Sequence, residues 1–139
     1  MLFRSLNAPF TFIVSLLDIV YPLTANMAEF IIPYSTMRDP VLLADFVNEN
    51  NINHLFISPK ILKIFQPKGH SLKSVYTGSE RVSNIYFDDF DVIVFYGQSE
   101  CAGTLSFLVD KKYENTPIGK AADGVAMYVL DDKDRKSVV

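Results

Sequence analysis

Apolar positions fall in short blocks separated by polar turns, and the spacing inside each block changes along the chain. Residues 14–25 are apolar almost without interruption and predict a buried helix, followed by a short strand over 28–32 (AEFII). Asp39-Pro40 supplies an N-cap and a first-turn proline, and Leu42, Leu43, Phe46 and Val47 then recur at helical spacing up to Asn50. His54–Ile57 predicts a buried strand, and Ser58-Pro59 opens a short helix carrying Ile61, Leu62, Ile64 and Phe65. Leu72–Thr77 predicts a strand, residues 79–87 a helix, and Asp91–Tyr96 the clearest buried strand of the chain. Gly97 is expected to end that strand and Ser99 to cap a short helical turn; Leu105–Val109 and Val125–Leu130 predict two more strands. Strands alternating with helices predict an α/β fold with a mainly parallel sheet flanked by helices.

The first 33 residues are strongly apolar, but Pro9, Asp18 and Pro22 interrupt the run. A membrane helix needs about 20 apolar residues with few or no charges, so the stretch predicts a helix packed inside a domain and no membrane partner. The chain has 139 residues, 49% hydrophobic and 21% charged, which fits one domain and excludes a disordered chain. A net charge of −3 argues against a broad nucleic-acid surface. One cysteine excludes an intrachain disulfide and a cysteine-rich zinc site, and fits a reducing, cytoplasmic compartment.

In parallel α/β sheets, ligands bind beyond the carboxyl ends of the strands. Three polar turns are expected there: Ser58-Pro59, Thr77-Gly78-Ser79-Glu80 and Gly97-Gln98-Ser99-Glu100. Glycine lets a ligand approach the backbone, and Glu100 is a hard-cation ligand by type. Ordinary strand-to-helix capping accounts for the same residues. Gly97-Gln98-Ser99-Glu100-Cys101 also approaches the G-x-S-x-G nucleophile elbow of α/β-hydrolases. Against it, Cys101 replaces the last glycine, and both histidines, His54 and His70, precede the serine.

Five segments, in order, resemble the adenylate-forming (AMP-binding) enzymes, most closely the adenylation domains of nonribosomal peptide synthetases. FYGQSE (95–100) is similar to the family's Y-G-x-S/T-E motif, and TPIGKAADGVAMYVLDD (116–132) to its P-I-G-R/K-P…Y-V-L-D stretch. YTGSE (76–80) is similar to the G-G/S-E turn, APFTFIVSLLDIVYPL (8–23) to the F-D-x-S helix start, and NINHLFISPKIL (51–62) to a strand-S/T-P-helix segment. The resemblance covers nearly the whole chain.

It implies an enzyme that joins a carboxylic acid to ATP, with Mg2+, and passes the acyl group to a carrier-protein or coenzyme A thiol. Residue by residue, Tyr96 would stack on adenine beside Gly97, while Thr77, Gly78, Ser79 and Glu80 would line the nucleotide and acyl pocket. Ser99 would sit by the α-phosphate and Glu100 would hold the metal. Ile13, Val14, Leu17, Phe56, Val75, Phe95, Gly103 and Thr104 would line the acyl pocket together with Thr77. Amino-acid-activating relatives carry aspartate where this chain has Ile13, which implies an acid without an α-ammonium group, such as an aryl, keto or fatty acid; Asp18 would substitute only if the alignment slips.

The family's T-S-G-S/T-T-G-x-P-K-G phosphate loop and its Y-x-T-G-D ribose motif do not occur in the sequence. Residues 1–139 are therefore expected to be one partial adenylation domain, part of the large N-terminal domain, without the C-terminal domain that carries the catalytic lysine. The expectation is a chain inactive alone, with apolar edges at Phe10, Phe12, Leu16 and Leu17 that promote association. A non-catalytic remnant or interaction module is the alternative, and a hydrolase using Ser99 a weaker one.

Overall fold

The computed structural model describes residues 2–6, 8, 10–133 and 135. One mixed sheet contains β1 (Phe3–Leu6), β2 (Ala28–Ile31), β3 (His54–Phe56), β4 (Ser74–Gly78), β5 (Asp91–Gln98), β6 (Cys101–Val109) and β7 (Lys120–Ala121). Its spatial order is β2-β1-β3-β4-β5-β6-β7. The first five strands in that order run parallel, and β6 and β7 continue the sheet antiparallel. The expected α/β class and mainly parallel sheet are therefore present.

The chain leaves β1 towards β2 and returns across it to β3. Crossovers of one hand that step in opposite directions place their helices on opposite faces of a sheet. Accordingly α1 (Ile13–Thr24) lies over the face carrying Arg4, Phe56, Tyr76 and Phe95. The face carrying Leu55, Val75, Val92 and Val94 packs with Leu43, Ala44 and Val47 of α3 (Pro40–Glu49) and Leu62 of α4 (Pro59–Leu62) in the main core. A short helix, α2 (Tyr34–Arg38), precedes α3. Asp39 caps α3 as its sequence predicts: Oδ1 accepts from the amides of Val41 at 2.9 Å and Leu42 at 3.2 Å, with Pro40 in the first turn.

Helix α1 departs from the expected buried apolar helix. Ser15, Asp18 and Pro22 face inward, while Leu16, Val20 and Leu23 are exposed. Arg4 is the reason: its guanidinium pairs with Asp18 at 2.8 Å, and both side chains are withdrawn from water. That pairing also removes Asp18 as a partner for a substrate ammonium.

The expected helix over 79–87 does not form. Ser79 and Asn84 adopt left-handed backbone conformations (φ 68° and 55°), and the segment bonds to a neighbouring loop instead of to itself. The Asn84 amide donates to the Tyr113 carbonyl at 2.7 Å, and the Thr116 amide to the Val82 carbonyl at 3.1 Å. Val82, Ile85 and Phe90 still enter the core, so the apolar content of the segment is used without helical hydrogen bonds. The expected strand over 125–130 is likewise absent apart from an isolated bridge at Leu130; β7 is the strand that borders β6. Gly97 does not end β5, which runs on to Gln98 through an irregularity between Tyr96 and Gln98. Ser99 caps no helix: Ser99 and Glu100 are the turn of the β5–β6 hairpin.

Two predictions follow from this packing. A Cβ built on Gly78 would lie 2.2 Å from the Phe95 carbonyl oxygen, a backbone atom that cannot swing aside. Gly78→Ala should therefore destabilise the chain by about 1–3 kcal/mol in urea unfolding; unchanged stability would contradict the close β4–β5 approach. His54, bonded through Nδ1 to Ser74 Oγ at 2.8 Å, is held below the ordinary histidine pKa by burial and then by Arg4 and Lys73. The unfolded chain takes up a proton near pH 6.5 that the folded chain resists, so this contribution is intact above that pH and is lost as pH falls towards the lower folded pKa. Lowering pH from about 7.5 to about 5.5 should cost His54→Gln less stability than the parent; equal losses would assign the acid sensitivity elsewhere.

Candidate functional site

The carboxyl ends of β3, β4 and β5 meet at one edge of the sheet, and the polar turns expected to carry chemistry lie along it. Strand register decides which side chains face which way. Pairing of Phe56 with Tyr76, of Tyr76 with Ile93 and of Gly78 with Phe95 puts these positions on the α1 face. Leu55, Val75 and Val92 alternate with them on the core face.

Besides an apolar pocket of about 250 Å³ between Phe12, Met37, Ile61 and the Gly78–Glu80 turn, two concavities open from this edge. A cleft of about 400 Å³ runs between the Ser79–Arg81 turn, Tyr96, Gly97 and the loop residues Thr116 and Ile118. The second is a cavity of about 170 Å³ between α1 and the sheet, walled by Val14, Leu17, Phe56 and Phe95 and lined further in by Arg4, Tyr21 and Tyr76. A neck of about 50 Å³ joins them: Ser79, Phe95, Tyr96 and Gly97 are shared with the cleft, and Val14, Leu17, Phe56 and Phe95 with the cavity. A nucleoside-sized cleft thus passes through a narrow throat into a small apolar chamber.

Most of the expected site residues converge here. Gly78 ends β4, Ser79 follows in its left-handed conformation, and Glu80 pairs with Lys60 at 3.1 Å. Tyr96 is 45% exposed on the cleft wall. Ile13 and Val14 begin α1 at the neck, with Leu17 one turn below. Ser99 and Glu100 project from the hairpin tip as exposed residues. Among the described residues no group of three or more His, Cys, Asp or Glu side chains gathers to hold a metal, so Glu100 offers a single carboxylate.

Two expected residues are placed elsewhere. Val75 and Thr77 are fully buried on the core face, on the side of the sheet away from the cavity, and Tyr76 takes the position between them. Gly103 and Thr104 belong to β6, but their position relative to the cavity lies outside the described residues. Sequence reasoning also missed Arg4, Tyr21 and Tyr76. The available signals were the parity of Tyr76 with Phe56, and a single arginine and a single aspartate within one apolar run. The neighbouring Tyr76, followed by burial, raises the Tyr21 pKa against the opposing effect of Arg4.

The geometry rules out the nucleophile elbow. That motif needs a strand, a turn and a helix, and Ser99 lies between two strands. His54 is level with Ser74 and Asp91 at the start of the strands. Ser99 lies eight residues beyond Asp91, roughly 25 Å along an extended strand, out of reach of a histidine base.

Comparisons with known proteins agree with this arrangement. The family profile of the AMP-binding enzymes matches residues 5–139. Bacitracin synthase 1 of Bacillus licheniformis is 26% identical over 111 residues, covering 78% of this chain and 2% of that protein. The beta-alanyl-bioamine nonribosomal peptide synthetase ebony of Drosophila melanogaster is 26% identical over 148 residues, covering 87% of this chain and 17% of that protein. The chain thus spans a small part of the length of both curated relatives. Among solved structures, holo-PA1221, an NRPS protein containing adenylation and PCP domains, superposes with a TM-score of 0.84 at 20% identity over 99% of this chain and 26% of its own. The Klebsiella oxytoca NpsA N-terminal subdomain, solved with 3-hydroxybenzoyl-AMSN, gives 0.79 at 18% identity over 99% of this chain and 39% of its own. With the profile matching nearly every residue, the chain belongs to the AMP-binding enzyme family.

Proposed function

We propose that this chain carries the nucleotide- and acid-binding part of an ATP-dependent carboxylic-acid-activating domain of the nonribosomal peptide synthetase type. The supporting observation is the throat at Ser79, Phe95, Tyr96 and Gly97, which joins a nucleoside-sized cleft to an apolar chamber. A molecule with a nucleotide at one end and an acyl group at the other fits that shape.

In the proposed reaction a carboxylate oxygen bonds to the α-phosphorus of ATP as the bond to pyrophosphate breaks. A thiol then takes the acyl group and AMP departs. The acid lies in the chamber with its carboxylate at the throat, and adenine lies against Tyr96. Charge neutralisation and positioning carry such a reaction more than a nucleophilic side chain does. The lone carboxylate of Glu100 suits magnesium, which is usually held by one or two protein carboxylates together with substrate phosphates. Bound magnesium would neutralise phosphate charge. Ser99, beside Glu100 in the hairpin turn, is a hydroxyl donor for the α-phosphate.

Ile13 at the throat offers no charge for an α-ammonium, and the chamber walls are apolar, which supports an acid lacking that group. A carrier-protein thiol is the proposed acceptor, by analogy with the adenylation and PCP domains of the structural neighbour. We place the reaction in the cytoplasm, where the exposed free Cys101 would stay reduced. The exposed Phe10, Phe12 and Leu16 are proposed as surface for association with further parts of such an enzyme. The 139-residue chain alone is proposed to bind ligands without sustained turnover.

Calorimetric titration with ATP tests the nucleotide reading. Tyr96→Ala should weaken binding about tenfold, within the range for loss of one base-aromatic stack. Glu100→Gln should leave magnesium-free binding intact and remove its enhancement by magnesium. Saturable parent binding that neither change affects would refute both roles. Titration with amino acids tests the throat: Ile13→Asp should bind α-amino acids more tightly than the parent does, and an unchanged acid profile would refute the position of Ile13.

A further inference from the structure

Pairing of β4 with β5 ends at Gly78 and Phe95. Beyond that pair the chain turns through the left-handed Ser79, and the cleft opens between residues 79–82 on one side and Tyr96 and Gly97 on the other. Among the described residues that line the cleft, Arg81 is the one cation. Glu80, the carboxylate in the same wall, is already matched by Lys60 at 3.1 Å. The ion pairs of the described residues do not include Arg81, so its charge faces the cleft without a carboxylate to balance it. Its hydrogen-bond partner is a neutral amide: Nη2 donates to Asn115 Oδ1. Asn115 belongs to the loop that is zipped to residues 82–84 by the Thr116–Val82 and Asn84–Tyr113 backbone bonds. That loop closes the cleft at Thr116 and Ile118, so Arg81 is tied to a fixed wall.

A guanidinium carries its donors along the edge of a plane, and its two faces carry none. The bond to Asn115 engages that edge and holds the end of the side chain, which leaves a flat cationic face to stack on a π-system. A lysine ammonium has no such face. Placement decides which part of a nucleotide meets it. Adenine is proposed against Tyr96, and the phosphates near Ser99 and Glu100 at the hairpin tip beyond it. Arg81 stands across the cleft from Tyr96, so the group between the two is the base.

We infer that Arg81 is a nucleobase-binding residue: its guanidinium, held by Asn115, stacks on the base from the side of the cleft opposite Tyr96. This deepens the reading of the cleft as a nucleotide site and rests on it.

Calorimetric titration of the full 139-residue chain with adenosine, which has the base and no phosphate, tests this, with AMP as the charged comparison. Arg81 and Asn115 are both exposed, so their variants should keep the parent's fold. Arg81→Ala should weaken adenosine and AMP equally, by about tenfold, within the range for loss of one stacked partner. Arg81→Lys keeps the charge without the flat face and should recover less than about threefold of that loss. Asn115→Ala leaves the guanidinium but frees it, and should weaken adenosine by about threefold. In NMR spectra of the parent, saturating adenosine should move the Arg81 Nε–Hε resonance upfield through the ring current of the base; a purely structural arginine would not move. Weakened AMP with unchanged adenosine, or full recovery in Arg81→Lys, would assign Arg81 to the phosphate and overturn the inference. Unchanged affinities in Arg81→Ala would overturn it too, and if Tyr96→Ala still weakens binding the nucleotide reading stands without it. A parent chain that binds neither adenosine nor AMP would overturn both.

Discussion

A guanidinium and a carboxylate, both removed from water, hold α1 against the sheet. Arg4 on β1 and Asp18 on α1 lie 2.8 Å apart, and the helix turns its polar residues inward to make that contact. Removing one partner of a buried pair costs several kcal/mol, because the survivor has no water to turn to. Replacing both with apolar side chains is often neutral, so the pair is not required for stability alone. It does set where α1 lies, and the wall that α1 forms defines the chamber. Positioning of the helix and of the wall it forms thus depends on the same two residues.

The remaining site geometry comes from the sheet. Gly78 allows β4 to end against the Phe95 carbonyl, which brings the Ser79–Glu80 turn next to Tyr96 and Gly97. The change from parallel to antiparallel after β5 puts Ser99 and Glu100 in a hairpin turn just beyond the same edge. On the opposite side of the cleft, Thr116 and Ile118 are anchored through the Thr116 bond to Val82. Cleft, throat and chamber are consequences of one strand register read on one face.

Much of this was legible from local pattern. The cap at Asp39, the strands at 28–31 and 54–56, the strand from Asp91 to Tyr96, and the polar turns at the strand ends all have short-range causes. What local pattern lacked was parity and partner. Val75 and Thr77 look as suitable for a pocket as Tyr76 until pairing with β3 fixes which of them faces α1. Residues 79–87 have enough apolar content for a helix, but Ser79 and Asn84 turn left-handed and the backbone bonds to residues 113–116, which no nearby residue announces. The apolar run of α1 concealed a buried ion pair, because the pairing of Arg4 with Asp18 is a property of the fold.

The central claim is that the cleft and the chamber form one continuous site for an acyl-adenylate. Binding of a non-hydrolysable acyl-adenylate analogue to the 139-residue chain, followed residue by residue by NMR, tests it most directly. The account predicts one saturable event that shifts Tyr96 and Gly97 together with Leu17 and Phe56, with affinity well above that of AMP or of the free acid. Shifts confined to the cleft, or affinity no better than that of AMP, would contradict it.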